Sequence, residues 1–252
     1  MTEYLTGKSN PLFKHIRKLR ADRTYRYEHG EYLADGTKLV EEALRWNTVH
    51  AIVCTQGVEA GELPAGVRSV TVPSAVMKDL SRMDTPQGML AVCAMPPQPA
   101  LRLTPGCLIL DGIQDPGNLG TILRTADALD TPVILTDGCA DPFGEKTVRA
   151  SMGAVMRNPP MTASASQLLA LRHTAGVPLC AAALSAGSRD LRELQLSKYA
   201  LIIGSEGQGV RRELLEAADA LAVIPMAERC ESLNAAVAAA IFLWQSRTET
   251  FT

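Results

Sequence analysis

Five polar side chains in the second half of the chain are of types that can orient a ligand and stabilise charge: Asn118, Arg124, Glu206, Ser232 and Asn234. They fall in three stretches, each placed after a short apolar run. Asp111-Gly-Ile-Gln-Asp-Pro-Gly-Asn118 follows Leu108-Ile-Leu110, and Gly204-Ser-Glu-Gly-Gln-Gly209 follows Ala200-Leu-Ile-Ile203. Pro225 to Asn234 follows Leu221-Ala-Val-Ile224. Each stretch leads into a helix-like pattern, so each reads as a strand-to-helix turn. In an open parallel α/β sheet such turns gather at the carboxyl edge, where ligands bind. The five residues are therefore candidates for one site.

Each stretch also has a plainer local reading. Asp115-Pro-Gly-Asn118 is a strong turn signal, and Asn118 is a good N-cap for the helix after it. In that helix Leu119, Ile122, Leu123, Ala126 and Leu129 form the apolar stripe, and Arg124 can pair with Asp127 on the surface. The order G-x-x-G-x-G in the second stretch matches neither the dinucleotide fingerprint nor a P-loop. Glu206 would also set a carboxylate where a phosphate would have to sit. Such a loop suits the close approach of a flat, neutral or cationic ligand, or a simple left-handed turn. Ser232 and Asn234 are equally good capping residues for the alanine-rich helix after them.

The elements that must hold these turns divide on composition. From Asn10 to about Met95 the pattern is two helices, then short strands alternating with helices. Lys38 to Trp46 is amphipathic, and Ala51-Ile-Val-Cys54, Val67 to Val72 and Met89 to Ala94 read as strands. The proline-rich stretch 96–105 reads as a linker. Residues 1–95 thus form one expected domain and 106–252 a second. In the latter, strands near Leu108, Val133, Leu179, Leu201 and Leu221 alternate with helices, which implies a mostly parallel sheet.

Composition narrows the class. Apolar residues make up 46% of the 252-residue chain, and no stretch is long and apolar enough to span a membrane. The start carries no secretory pattern, which leads to the expectation of a cytoplasmic protein. Six cysteines without a C-x-x-C pair read as free thiols, most of them buried. The four histidines are scattered without metal-ligand spacing, so no metal is expected. The net charge of −2 hides a basic start: Lys8, Lys14, Arg17, Lys18, Arg20, Arg23 and Arg26 against Glu3 and Asp22 within residues 1–27. Phe13, Tyr25 and Tyr27 are interleaved. This local density suits RNA phosphates, with a solvated helix face as the competing explanation.

Taken together, the three stretches resemble the motifs of the SpoU/TrmH family of RNA ribose 2′-O-methyltransferases, in the SPOUT class. Asn118-Leu-Gly-Thr-Ile-Leu-Arg124-Thr-Ala is similar to the first motif and Ile203-Gly-Ser-Glu206-Gly-Gln-Gly-Val to the second. Ile224-Pro-Met and Glu231-Ser-Leu-Asn-Ala-Ala-Val are similar to the third. Arg149-Ala-Ser-Met-Gly153 resembles a further family segment. Asn10-Pro11 and Lys38-Leu-Val-Glu-Glu-Ala resemble the small α/β RNA-recognition domain of many members. One departure is Glu228, which stands where the family often has glycine.

The resemblance implies a trefoil-knotted α/β methyltransferase domain with a parallel sheet, acting as a homodimer on RNA with S-adenosylmethionine as cofactor. It implies cofactor contacts from Leu184, Gly204, Ile224, Met226 and Leu233, and a reaction site of Asn118, Arg124, Glu206, Ser232 and Asn234. RNA contacts are expected from Lys8, Lys14, Arg17, Lys18, Arg23 and Arg26. Ribosomal RNA is favoured over transfer RNA by analogy with the N-terminal domain. The alternatives are a transfer-RNA enzyme, a base-modifying SPOUT enzyme, a nucleotide-binding regulatory domain and a non-catalytic RNA-binding protein.

Overall fold

The computed structural model describes residues 2–7, 9–46, 48–81, 83–185, 187–227, 229–230 and 232–247. Lys8, Glu228 and Glu231 lie outside the described residues. The chain forms two compact units: Met1–Pro97 with Phe143–Arg157, and Gln98–Pro142 with Asn158–Thr252.

The first unit contains β1 (Glu3–Tyr4), α1 (Pro11–Ala21), α2 (Arg23–His29), β2 (Glu31–Asp35), α3 (Thr37–Arg45), β3 (Val49–Thr55), β4 (Arg68–Val72), α4 (Ser74–Leu80) and β5 (Met89–Ala94). The strands form one mixed sheet in the order β1-β4-β3-β5-β2. Asn10 caps α1, accepting from the Leu12 amide at 2.9 Å, and Pro11 begins the helix where no amide donor is needed. Leu12, Phe13, Ile16 and Leu19 then recur at helical spacing and join Val53, Val70, Leu90 and Val92 of the sheet in one core. The α2 end is set by Gly30, whose φ of 61° is the left-handed conformation that closes a helix.

The second unit begins with β6 (Leu108–Asp111), α5 (Pro116–Ala128) and β7 (Val133–Leu135). Two short helices of the first unit come next, α6 (Glu145–Ser151) and α7 (Ala154–Arg157). The second unit resumes with β8 (Met161–Thr162), α8 (Ala165–Ala175), β9 (Leu179–Ala182), β10 (Arg189–Asp190), β11 (Ala200–Gly204), α9 (Arg212–Glu216), β12 (Ala220–Val223) and α10 (Ala235–Arg247). Its seven strands run β10-β12-β9-β11-β6-β7-β8, and every neighbouring pair is parallel. The expected parallel sheet is therefore present. Its central strands are continuous apolar runs because helices cover both faces. No helix among the described residues is long and apolar enough to cross a membrane.

The strand order creates the crevice. The chain leaves β6 towards β7 on one side and leaves β11 towards β12 on the other. β6 and β11 are adjacent, and their register ends with Gly204 opposite Asp111. That is a topological switch point, with the first two candidate loops side by side above it.

The helices α6 and α7 belong to the first unit through buried charge. Arg20 donates through Nε to Glu145 at 2.7 Å and through Nη2 to Asp35 at 3.1 Å. Asp35 also accepts from the Ser81 hydroxyl at 3.1 Å. Burial pushes the Asp35 carboxyl up, and the Ser81 hydroxyl and Arg20 act against that rise. Removing Arg20 takes away the guanidinium hydrogen-bonded to both carboxylates and leaves only Arg149, 3.8 Å from Glu145. Arg20→Ala should cost about 3–5 kcal/mol in denaturant unfolding, whereas Arg17→Ala, which breaks the more exposed pair with Asp79, should cost about 1 kcal/mol or less. Because burial raises the Asp35 carboxyl in the folded state and Arg20 opposes that rise, the Arg20→Ala deficit should grow as pH rises from acid to neutral. Equal losses in the two variants would contradict the buried role of Arg20.

Candidate active site

The helix α5 starts earlier than the sequence suggests. Asp115, not Asn118, is the N-cap: its carboxylate accepts from the Asn118 amide at 2.8 Å, with Pro116 next in line. Asn118 therefore sits in the first turn with its side chain free for another task. Its Nδ2 donates to Glu206 Oε1 at 2.7 Å, across 88 residues.

The same oxygen collects two more donors. Asn234 Nδ2 lies 2.8 Å away and the Ala235 amide 3.1 Å away. Asn234 Nδ2 also reaches Asn118 Oδ1 at 3.1 Å, which closes a triangle of Asn118, Glu206 and Asn234. The amide orientation of Asn234 is fixed by its other atom. Asn234 Oδ1 accepts from the Ala236 and Val237 amides at 3.0 and 3.3 Å, so the NH2 group must face the carboxylate. Asn234 is thus the cap of α10, in keeping with its local reading, and also part of the cluster. The Glu206 carboxylate at the first amides of α10 is placed where the helix dipole favours negative charge. A polar cleft of about 370 Å³ lies beside this triangle, lined by Gln114, Asn118, Ser205, Glu206 and Ala235.

A second cavity is apolar. It has about 160 Å³ and is lined by Ala182, Leu184, Ala222, Ile224, Met226, Ser232, Leu233 and Phe242. Four of the five expected cofactor residues and one expected reaction-site residue meet here. Leu184 is 72% exposed on its rim, apolar surface that a bound ligand would cover.

Gly204 lies elsewhere and has a different reason to be glycine. Ser205 and Gly209 exchange backbone hydrogen bonds at 3.2 and 2.8 Å, folding the loop back over the end of β11. A Cβ on Gly204 would lie 2.0 Å from the Gly209 carbonyl carbon and 2.2 Å from the Val210 nitrogen. Gly204 is required by the turn itself, before any ligand is considered.

Residues 105–244 match the family model described as the SpoU rRNA Methylase family. The chain belongs to this family. Residues 10–91 match a model described as an MRM3-like substrate binding domain. A relative in Bacillus subtilis, named 23S rRNA (guanosine(2553)-2'-O)-methyltransferase, is 35% identical over 242 residues, covering 94% of this chain and 96% of the relative. The crystal structure of an AdoMet-bound rRNA methyltransferase from Sinorhizobium meliloti aligns with a TM-score of 0.85 at 35% identity, covering 100% of this chain and 99% of that one. A TrmH-family structure from Porphyromonas gingivalis aligns at 0.82 and 35% identity, covering 94% and 96%.

Within this family member, Arg124 stands apart from the triangle. It is exposed on α5, six residues after Asn118, which places it about 120° around the helix. Ser232 is exposed at the apolar cavity, next in the loop to the residues that join the triangle. The structure thus joins two amides and a carboxylate, sets the hydroxyl beside the neighbouring cavity, and leaves the guanidinium outside.

A second cluster was not anticipated. Asp111, 3% exposed at the end of β6, accepts from the Arg211 backbone amide and from Arg211 Nε, both at 2.7 Å. The Thr136 hydroxyl donates to the same carboxylate at 2.7 Å. Arg211 Nη2 continues to Thr136 Oγ1 at 3.0 Å and the Asp137 carbonyl at 2.9 Å. This pair, with its carboxylate buried and its guanidinium partly exposed, ties the carboxyl ends of β6, β11 and β7 together. An aspartate ending an apolar strand was the one available signal; its partner lies 100 residues away. Among the described residues no group of three or more His, Cys, Asp or Glu is placed to hold a metal ion.

The basic residues of the first unit divide. Lys14 and Lys18 are exposed on α1, and exposed Arg23 lies over the Tyr27 ring, 5.6 Å from its centroid. Half-exposed Arg17 pairs with Asp79. Arg26 is withdrawn from any RNA surface: it is 6% exposed, and its guanidinium donates to the Leu19 and Arg20 carbonyls at 2.6 and 3.3 Å. Those carbonyls are left over at the end of α1, and a buried cation satisfies them well. Lys8 lies outside the described residues.

The loop over Gly204 gives a direct test. Gly204→Ala should abolish cofactor binding in calorimetry and lower the melting temperature, because the added methyl collides with the peptide group between Gly209 and Val210. Gly207→Ala, where a Cβ meets nothing within 4 Å, should leave both unchanged. Unaltered binding in Gly204→Ala would contradict a backbone crossing at this position.

Proposed function

We propose that this chain transfers a methyl group from S-adenosylmethionine to a ribose 2′-hydroxyl of ribosomal RNA. The carrying observation is the closed Asn118–Glu206–Asn234 triangle beside the cavity of Leu184, Ile224, Met226 and Leu233. The lining fits the cofactor's adenine: small and apolar side chains would take its flat ring, and the backbone at the ends of β9 and β12 would supply polar contacts. When bound, S-adenosylmethionine supplies an electrophilic methyl on a sulfonium. Family membership and the ribosomal target named for the Bacillus subtilis relative support RNA, and ribosomal RNA in particular.

The chain's own residues must then position a weak nucleophile and handle its proton. Asn118 and Asn234 are locked by Glu206, so the loops that carry them keep a fixed spacing as substrate enters. Ser232 can hold a ribose hydroxyl at the mouth of the cavity. Arg124 acts as a fixed cation. A guanidinium keeps its proton in proteins and has no acceptor lone pair, so it cannot serve as a base. It binds the phosphate next to the target ribose and stabilises the developing alkoxide, while phosphate or water takes the proton.

A homodimer reconciles the position of Arg124 with that role. Val237 and Trp244 are 48% and 61% exposed on α10 and share one helical face, seven residues apart, an apolar strip suited to a second copy. α10 packs on α5, which carries Arg124. In our reading, α5 of one copy presents Arg124 to the triangle of the other. The strand order supports the expected knot: β11 fills the place between β6 and β9, and α10 then returns from β12 across β11 to α5. All six cysteines are free, and burial pushes the thiols of Cys93 and Cys180 up to about 12 and that of Cys107 to about 11. Unreactive buried thiols suit a cytoplasmic enzyme.

Arg124→Ala should remove methyl transfer to ribosomal RNA while cofactor affinity in calorimetry stays within about twofold, a change of roughly 0.4 kcal/mol. Mixing Arg124→Ala and Asn118→Ala chains should restore activity that neither has alone. Loss of cofactor affinity in Arg124→Ala, or no recovery in mixed dimers, would count against the shared site. A wild-type chain that binds RNA and transfers no tritiated methyl group would be a binding protein instead.

A further inference from the structure

Three of the chain's four histidines meet in the first unit, far in sequence from the methyltransferase motifs. His29 is exposed and stacks on half-buried Tyr25, with ring centroids 3.8 Å apart and planes 29° apart. This pair is braced from behind. His29 Nδ1 lies 2.9 Å from the Tyr25 carbonyl, to which it must donate, so the imidazole cannot swing away. The Tyr25 hydroxyl lies 2.9 Å from His15 Nδ1, and His15 Nε2 lies 2.7 Å from Glu31 Oε2. His50 Nδ1 holds the other Glu31 oxygen at 2.7 Å.

The proton positions follow from these contacts. A carboxylate oxygen accepts, so His15 Nε2 and His50 Nδ1 each donate to Glu31, and the Tyr25 hydroxyl is tied to the remaining nitrogen of His15. The outcome is an aromatic pair held rigid at the surface, with one ring open to solvent. Tyr25 packs at the edge of this unit's core, and exposed His29 is the ring that lies outside it.

We propose that Tyr25 and His29 form a stacking platform for one unpaired base of the RNA substrate, with Lys14 and Lys18 taking the adjoining phosphates. The site rests on the RNA reading above and makes it more specific. Lys18 Nζ lies 5.2 Å from the Tyr25 ring centroid, and Lys14 is exposed one turn earlier on the same helix. The acidic neighbours fix which side the backbone takes. Glu31 is held by two imidazoles, and Asp22 is used as the cap of α2, accepting from the Tyr25 amide at 3.2 Å. Glu28 is exposed beside His29 on α2. Phosphates therefore run along α1. The occupant is an unstacked base: a duplex hides its base faces, and a loop or bulge presents one to an aromatic plane. A platform already rigid loses little freedom when the base arrives.

The test uses the full-length chain and a single-stranded oligoribonucleotide carrying a fluorescent base analogue, alone or annealed to its complement. The single strand should be quenched on binding and the duplex should not. His29→Ala should abolish quenching and weaken binding about tenfold, and His29→Trp should retain both. In methyl-transfer assays on ribosomal RNA, His29→Ala should raise KM and leave kcat unchanged, with the circular dichroism spectrum of the parent. Quenching that survives in His29→Ala, or duplex quenched as strongly as single strand, would overturn the platform. If the parent chain methylates no RNA, the enzymatic reading fails, and the quenching result still decides the platform by itself.

Discussion

The site depends on one constraint, the meeting of two parallel strand ends whose outgoing loops are held side by side around one polar cleft. Asp111 and Gly204 are paired at the last register position of β6 and β11. From there one loop runs to Asn118 and the other folds back so tightly that Gly204 has no room for a Cβ. The Asp111 carboxylate then binds Arg211 at the far end of that second loop. Both loops are thereby anchored at their bases by an ion pair with a buried carboxylate, and at their tips by Glu206. Such a pair adds little net stability, since its attraction is offset by desolvation. Its value is geometric. It fixes the bases of the two loops that lead to Asn118 and carry Glu206.

Carboxylates do most of the organising throughout the molecule, and each does so by collecting donors. Glu206 Oε1 takes three, from two loops and a helix start. Asp111 gathers a backbone amide, a guanidinium and a hydroxyl. Glu31 holds two imidazoles, and Asp35 shares Arg20 with Glu145. An ionised carboxyl has several acceptor sites and no donor, so it can join elements distant in sequence at one point. The near-neutral total charge conceals this division of labour. These acids are consumed within the fold, and α1 is left with exposed Lys14 and Lys18.

The second unit lends part of its chain to the first. Between β7 and β8, the helices α6 and α7 pack into the N-terminal sheet domain through Glu145 to Arg20 and Arg157 to Glu42. The break between them is at Met152 and Gly153, both with positive φ, at 50° and 86°. Gly153 is confined as well, since a Cβ there would press on Glu42 and Arg157. The stretch Arg149-Ala-Ser-Met-Gly153, which resembles a family segment in the sequence, is therefore a structural part of the substrate-binding unit. Nothing in its composition sets it apart from the helices around it.

Read along the chain alone, the residues establish the parallel α/β architecture, the principal strands and the gathering of three loops at one edge. Those features arise from apolar periodicity and turn residues, which are local and legible in order. The right side chains for the cluster are legible too. Their work was decided by the tertiary fold. Asp115 took the capping role, which released Asn118 to meet Glu206 88 residues away. Arg26 turned inward onto the carbonyls of α1, and Arg124 came to stand outside its own triangle. Gly204 proved to be dictated by backbone crossing backbone, and the Asp111–Arg211 pair gave no joint signal. One cause underlies all of these. A hydrogen-bond partner is set by strand order and register, and these bring together residues whose spacing in the chain carries no information about their contact.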